Sequence, residues 1–254
     1  MKAIIANPPW MYKEDRVVPP PIFHMHVQDK SAEKKFFDSR EEWNVFSEWR
    51  YSSLVDYWLK ESGIRSGELL DLGCGSGIFG HYFKKKGFRV VGLDVSSSLV
   101  KVAAKRLDSA VVGDAENTPF EESRFDGVIA GGLLHHFPSK QNLVKEMNRV
   151  LKRKGFLFTQ DPNMLNPKIM VSQAAFSPFR SGVTENECPI TPEELVRSIN
   201  PFFQTVSLKF FSFIPPQMRL SDRAASAYLK IESLLQRTPL KYLGADLVSV
   251  SSKR

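Results

Sequence analysis

Cysteine is scarce: the 254 residues hold only Cys74 and Cys188. Two thiols so far apart match neither CxxC nor zinc-ligand spacing and cannot build a disulfide framework. No metal is expected, and a reducing cytoplasm is the expected compartment. Long apolar runs are missing as well. None approaches the ~18–20 residues that span a bilayer. The opening MKAIIANPPW holds four apolar residues in a row, Ala3–Ala6, before Asn7 and Pro8, short of the ~7–15 of a secretory leader. There is no internal repeat and no low-complexity tract. Charge of one sign is in modest excess, with a formal net charge of +7. The two basic clusters, Lys84-Lys85-Lys86 and Lys152-Arg153-Lys154, fall where helices are expected to end, and cations there complement the helix dipole. Nucleic acid is therefore not the expected partner.

What the chain does have is a strand–helix rhythm. Residues 1–30 are irregular and proline-rich. From about 32 to 61 the pattern turns helical and rich in aromatics, among them Trp43, Phe46, Tyr57 and Trp58. Short buried strands are then predicted at Glu68–Leu72, Arg89–Leu93, Ala110–Val112, Phe125–Ala130 and Gly155–Gln160. The helices between them are Phe79–Lys86, Ser97–Arg106 and Lys140–Leu151, with Ser96 or Ser97 as an N-cap. Such alternation implies a parallel sheet with helices on both faces. Beyond Asp161 the rhythm breaks. Thr191–Asn200 reads as a helix with a capping box, Thr191 and Glu194. Strands over 206–213 and 245–251, with a helix over 220–237 between them, fit an antiparallel final pair.

Chemistry gathers at the strand ends. LLDLGCGSG places Gly73, Gly75 and Gly77 directly after the first strand, where glycine lets the backbone turn and approach a ligand. Gly75-Ser76-Gly77-Ile78-Phe79-Gly80 also fits GxGxxG, the dinucleotide fingerprint. Asp71 lies inside the first strand-to-loop turn, placed to orient the loop or a ligand's amino group. Asp94 ends the second strand and can accept from ribose hydroxyls. Asp114, with Ala115 beside it, ends the third and can meet an adenine edge. Three acids around a glycine loop at consecutive strand ends outline a nucleoside site. Cys74, inside the loop, reads as a small filler.

The segments LLDLGCGSG, VVGLDVS, VVGDAENTPFEESRFDGVIAGGLLHHF and LKRKGFLF, between about 69 and 160, resemble the class I S-adenosylmethionine-dependent methyltransferases, specifically the type 11 small-molecule group. The resemblance implies a Rossmann-like α/β fold: a seven-stranded sheet, helices on both faces and a reversed last β-hairpin, here with an N-terminal helical cap. It divides the chain into an arm and cap over 1–61 and the methyltransferase domain over 62–254, with insertions near 162–190 and 214–243. It implies S-adenosylmethionine as cofactor. Gly73, Gly75 and Gly77 would wrap its methionine part, Asp94 its ribose, and Asp114 with Ala115 its adenine. Gly131 would contact it by its backbone. A dehydrogenase, the rival for these motifs, needs a second half-sheet for which little chain remains.

Methyl transfer is an in-line displacement, helped by alignment and, for a hydroxyl or amine acceptor, by a base. His135 and His136, after the fourth strand, and Asp161, ending the fifth, are the candidates. Asn7-Pro8-Pro9-Trp10 resembles a motif of nucleic-acid amino-methyltransferases but precedes the glycine loop instead of following the fourth strand, so a turn in an N-terminal arm is the expectation. By the resemblance the acceptor pocket comes from about 12–60, 162–190 and 214–243, which carry Met164, Met170, Phe176, Phe179, Phe211, Phe213 and Met218. An adaptable apolar lid and ordinary core both fit these residues. Pro215–Lys241 mixes Arg219, Arg223, Lys230, Arg237 and Lys241 with leucines, which suits contact with an anionic membrane surface and a lipid- or glycan-linked acceptor. A small-molecule methyltransferase, an RNA or protein methyltransferase, and a non-catalytic S-adenosylmethionine-binding module all stay open.

Overall fold

A computed structural model describes residues 30–38, 47–172, 188–215 and 218–254. The expectations for Asn7–Trp10, Trp43, Phe46, Phe176 and Phe179 lie outside these residues. Strands β1 (Glu68–Leu72), β2 (Arg89–Asp94), β3 (Ser109–Val112), β4 (Phe125–Gly131), β5 (Leu151–Pro162), β6 (Phe203–Phe211) and β7 (Asp246–Lys253) form one sheet in the order β3-β2-β1-β4-β5-β7-β6. The first five run parallel, and β7 is antiparallel to both β5 and β6. This is the Rossmann-like sheet with a reversed last hairpin.

Strand alternation divides the core in two. Leu70, Leu72, Val128, Ala130 and Leu157 face one layer, and Leu69, Val90, Ile129 and Phe158 face the other. Helices α5 (Gln141–Val150) and α7 (Pro192–Ile199) cover the first face through Leu143, Val144, Met147, Leu195 and Ile199. Helices α2 (Glu48–Ser62) and α3 (Ile78–Lys85) cover the second. There Trp58 is fully buried and stacks on Phe83 at 5.9 Å between ring centroids. Phe158 lies 5.7 Å from Trp58. A fully buried phenylalanine contributes roughly 1.5–3 kcal/mol, so α2 is fixed to the sheet.

The helical pattern over 32–61 resolves into α1 (Lys30–Asp38) and α2, because Ser47 is extended at φ −73°, ψ 157° and caps a new helix. Helix α4 (Ser97–Ala103) starts as expected on Ser96, whose Oγ accepts from Leu99 N–H at 3.3 Å. Three expectations need correction. Lys152–Lys154 lie at the start of β5, not at a helix end, and Lys152 instead pairs with Asp126 at 2.9 Å. The capping box is half formed. Thr191 Oγ1 accepts from Glu194 N–H at 3.1 Å, but the Glu194 carboxylate reaches the buried Lys140 ammonium at 2.7 Å; a buried cation needs the anion more than a surface amide does. Strand β6 starts three residues before 206 and stops at Phe211, because its register shifts between Thr205 and Ser207 and Ser212 turns to φ +64°. Phe211 is thereby core. Among the described residues no helix is long and apolar enough to cross a membrane.

Candidate active site

The carboxyl edge of the parallel strands gathers the predicted groups. The loop after β1 hangs from β2: Gly73 and Cys74 N–H both donate to Leu93 O, at 2.8 and 3.0 Å. Gly73 has φ +70°, and a Cβ there would sit 2.6 Å from Leu133 Cδ1, so a side chain would strain the backbone and displace Leu133. Gly75 has φ +51° with nothing within 4 Å of its missing Cβ, so the backbone there borders open space. Gly77 precedes α3 and packs on Ala103 and Leu107. Cys74 is buried and its thiol is pushed well up by burial, which leaves it protonated and unreactive.

The three acids sit where their spacing placed them, but each also braces the backbone. Asp94 Oδ2 accepts from Gly75 N–H at 2.7 Å and Oδ1 from Ser96 N–H at 2.9 Å. Each carboxylate oxygen retains a further lone pair, so the brace does not use up the acceptor. Asp71 is buried and accepts from Gly80 N–H at 2.9 Å, which ties α3 to β1. Burial raises its pKa to about 7. Asp114 Oδ1 accepts from Glu116 N–H at 3.0 Å, and Ala115 is buried beside it. Gly131 ends β4, and a Cβ there would collide with the Phe79 ring at 2.5 Å. The next residue, Gly132, has φ +70°, and a Cβ there would be in ordinary contact with His135 Cε1 at 3.9 Å and Gln160 Oε1 at 4.0 Å.

His135 and Asp161 come together across the β4 and β5 ends. His135 Nδ1 lies 2.9 Å from Asp161 Oδ1, which also accepts the His135 backbone N–H at 3.1 Å. Burial drives both groups toward neutrality, pushing the imidazole well down and the carboxyl well up. With Nδ1–H donating to Asp161, Nε2 is left as a proton acceptor. His136 is a different residue in kind: its ring lies 4.1 Å from His135 and 5.7 Å from Phe37 of α1, edge-on. Helix α1 lies over the loop after β2, where Asp38 Oδ1 accepts from Ser96 Oγ at 2.7 Å.

Two further groups at this edge escaped the sequence. Gln160 is buried beside Asp161 and donates from Nε2 to Asp246 Oδ1 at 2.8 Å. Asp246 also accepts from Ser212 Oγ, and burial raises its pKa to about 6. The cluster continues outward. Glu232, on α8 (Asp222–Leu235), accepts from Ser212 N–H and Tyr228 OH, each at 2.9 Å. It clasps the fully buried Arg50 of α2 at 2.8 and 3.1 Å. The only sequence signal was polar residues interrupting apolar strands, and their pairing depends on the β5–β7 register.

Comparison with known proteins agrees with this geometry. Residues 70–159 match a family model described as a methyltransferase domain. A demethylmenaquinone methyltransferase of Thermotoga maritima is 37% identical over 94 residues, covering 35% of this chain and 41% of that protein. A probable tRNA methyltransferase 9B of Homo sapiens is 40% identical over 93 residues, covering 35% of this chain and 20% of that one. The chain thus spans less than half the length of these two curated relatives. The solved structure of a SAM-dependent methyltransferase from Archaeoglobus fulgidus shares the fold, with a TM-score of 0.59 at 18% identity over 89% of this chain and 100% of that one. The glycine loop with its braced acids, the strand order and the matched domain converge: residues 70–159 carry a methyltransferase domain, set in a sheet with the fold of the class I S-adenosylmethionine-dependent methyltransferases.

Proposed function

We propose that the protein transfers a methyl group from S-adenosylmethionine to a small-molecule or lipid- or glycan-linked acceptor, with His135 as the base. The observation that carries this reading is the open backbone at Gly75, braced by Asp94, on the same sheet edge as Gly132 and the His135–Asp161 pair. The cradle fits the cofactor, because side chains at those glycines would fill the space it needs. When bound, the cofactor supplies an electrophilic methyl on a sulfonium. Gly73, Gly75 and Gly77 present backbone to its amino-acid end, with Asp71 holding the loop through Gly80. Asp94 accepts from the ribose, Asp114 and Ala115 border the adenine, and Gly131 lends backbone contact. As the acceptor's oxygen or nitrogen gains the methyl, its proton passes to His135 Nε2. Asp161 fixes the ring and its tautomer through the Nδ1 contact, which keeps Nε2 turned to the acceptor. Alignment of acceptor and methyl supplies the rest of the rate.

Residues 1–61 serve in this reading as arm and cap, with α1 closing over the Ser96 loop. An acceptor carried by a lipid requires peripheral membrane contact. Partial matches to both a quinone-pathway enzyme and a probable tRNA enzyme leave RNA as the second reading. Calorimetric titration with S-adenosylmethionine, S-adenosylhomocysteine and NAD tests the cofactor. Micromolar binding of the first two and none of NAD is expected. Asp94→Asn, which keeps the shape but loses the charge, should weaken it by roughly tenfold to a hundredfold, as charged hydrogen bonds are worth about 1.5–3 kcal/mol. Binding of NAD alone, or equal affinity in the variant, rejects the reading. Binding without turnover of any acceptor would identify a non-catalytic module.

A further inference from the structure

Exposed apolar side chains are unevenly spread over this protein. Of the ten exposed large hydrophobic residues among those described, eight lie in 165–171 and 218–243. On α8 the inner face is marked by buried Ala225 and Glu232. At 100° per residue that turns Arg223, Lys230, Ile231 and Leu234 outward, and Leu234 is 62% exposed. The 3-10 turn Pro239–Leu243 continues this surface with Leu240 and Leu243. Helix α6 (Pro167–Ser172) joins it, because Asn166 Nδ2 donates to Leu243 O at 2.6 Å and Asn163 Nδ2 to Gly244 O at 2.7 Å. Val171 of α6 is 57% exposed.

The cations of this surface are free to meet a partner. Lys168, Arg223, Lys230 and Arg237 make no ion pair among the described residues. Glu232, the acid nearest the centre of α8, points inward to Arg50, which leaves Asp222 at the helix start. Unpaired cations interleaved with exposed leucine and isoleucine complement an interface of anionic headgroups over acyl chains. The surface also has a definite place. Strands β5 and β6 end here and β7 begins here, with Pro162 registered on Asp246, so it shares the sheet edge that carries His135.

We infer that α8, the Pro239–Leu243 turn and α6 form a docking surface for an anionic lipid bilayer. The surface holds whichever acceptor the cleft takes, and contact there turns the cleft's own edge toward the membrane. Flotation of the full chain with vesicles of phosphatidylcholine, with and without one-third phosphatidylglycerol, tests it. Binding to the anionic vesicles alone is expected. Lys230→Gln with Arg237→Gln should weaken it about thirtyfold, since each cation near such a surface is worth about fivefold. Leu234→Ser with Leu240→Ser should weaken it by about tenfold, through lost apolar burial. All variants should keep the wild-type affinity for S-adenosylhomocysteine, which shows that they fold. Failure to float with anionic vesicles, equal flotation on neutral ones, or undiminished flotation of both double variants overturns the inference. So does a single-stranded RNA oligonucleotide that binds through Lys230 and Arg237 while vesicles do not.

Discussion

Glu232→Gln is the sharpest test of how the acceptor side is held together. The carboxylate takes two hydrogen bonds from Arg50 and one each from Tyr228 OH and Ser212 N–H. Both partners of the pair are essentially removed from water, at 0% and 2% side-chain exposure. Gln preserves the shape, but its amide must turn an N–H toward a guanidinium that has only N–H to offer, and no anion then remains in hydrogen-bond contact with it. Arg50 already has one buried donor, Nε, without a hydrogen-bond partner among the described residues. The Trp49 ring, 4.4 Å from its Cζ, is only a partial substitute. Stranding a buried charge costs about 3–5 kcal/mol. For a domain of this size each kcal/mol moves the melting point by roughly 2–4 °C, so thermal denaturation followed by circular dichroism should show a fall of about 10 °C. Arg50→Met combined with Glu232→Leu should recover most of it, because an apolar pair has no charge to strand. A single variant melting within experimental error of wild type would refute the argument.

Two further perturbations report on the same edge. Burial raises Asp246 from 3.8 to about 6. Its stabilising protonation is therefore complete below 3.8 and lost as pH rises through about 6. Relative to Asp246→Asn, the wild type should gain up to about 3 kcal/mol between neutral pH and pH 4; parallel melting-point curves for the two proteins would contradict this. Gly131→Ala drives a methyl into Phe79 at 2.5 Å. It should cost about 1–3 kcal/mol by overpacking and weaken S-adenosylhomocysteine binding in a calorimeter, whereas an unchanged melt and affinity would show that the ring has room to move.

The strands of the parallel half were legible because each carries its own stop signal. Gly73 after Leu72, Asp94, Gly113 and Gly131 punctuate short apolar runs at the carboxyl edge, and three of these, Gly73, Asp94 and Gly131, are candidate cofactor residues. What failed to show depends on distance in sequence. Nothing near Glu194 reveals that its carboxylate is claimed by Lys140, 54 residues away. The His135–Asp161 contact spans 26 residues and the Gln160–Asp246 contact 86; both follow from strand register, which apolar alternation leaves undetermined. The bulge between Thr205 and Ser207 shifted β6 for a related reason, since an extra residue erases the period-two pattern that betrays a strand.

The strand order has a consequence for assembly. In chain order β6 precedes β7, yet β6 pairs with β7 alone, and β7 fills the place beside β5. A nascent chain that has finished β6 therefore has nowhere to put it. Until Asp246–Lys253 emerges, β5 presents a bare edge and β6 waits unattached, both open to strand exchange with a neighbouring molecule. The interval during which translation passes from Phe211 to Lys253 is the one in which this protein most needs a chaperone, and slowing synthesis there should raise its aggregated fraction.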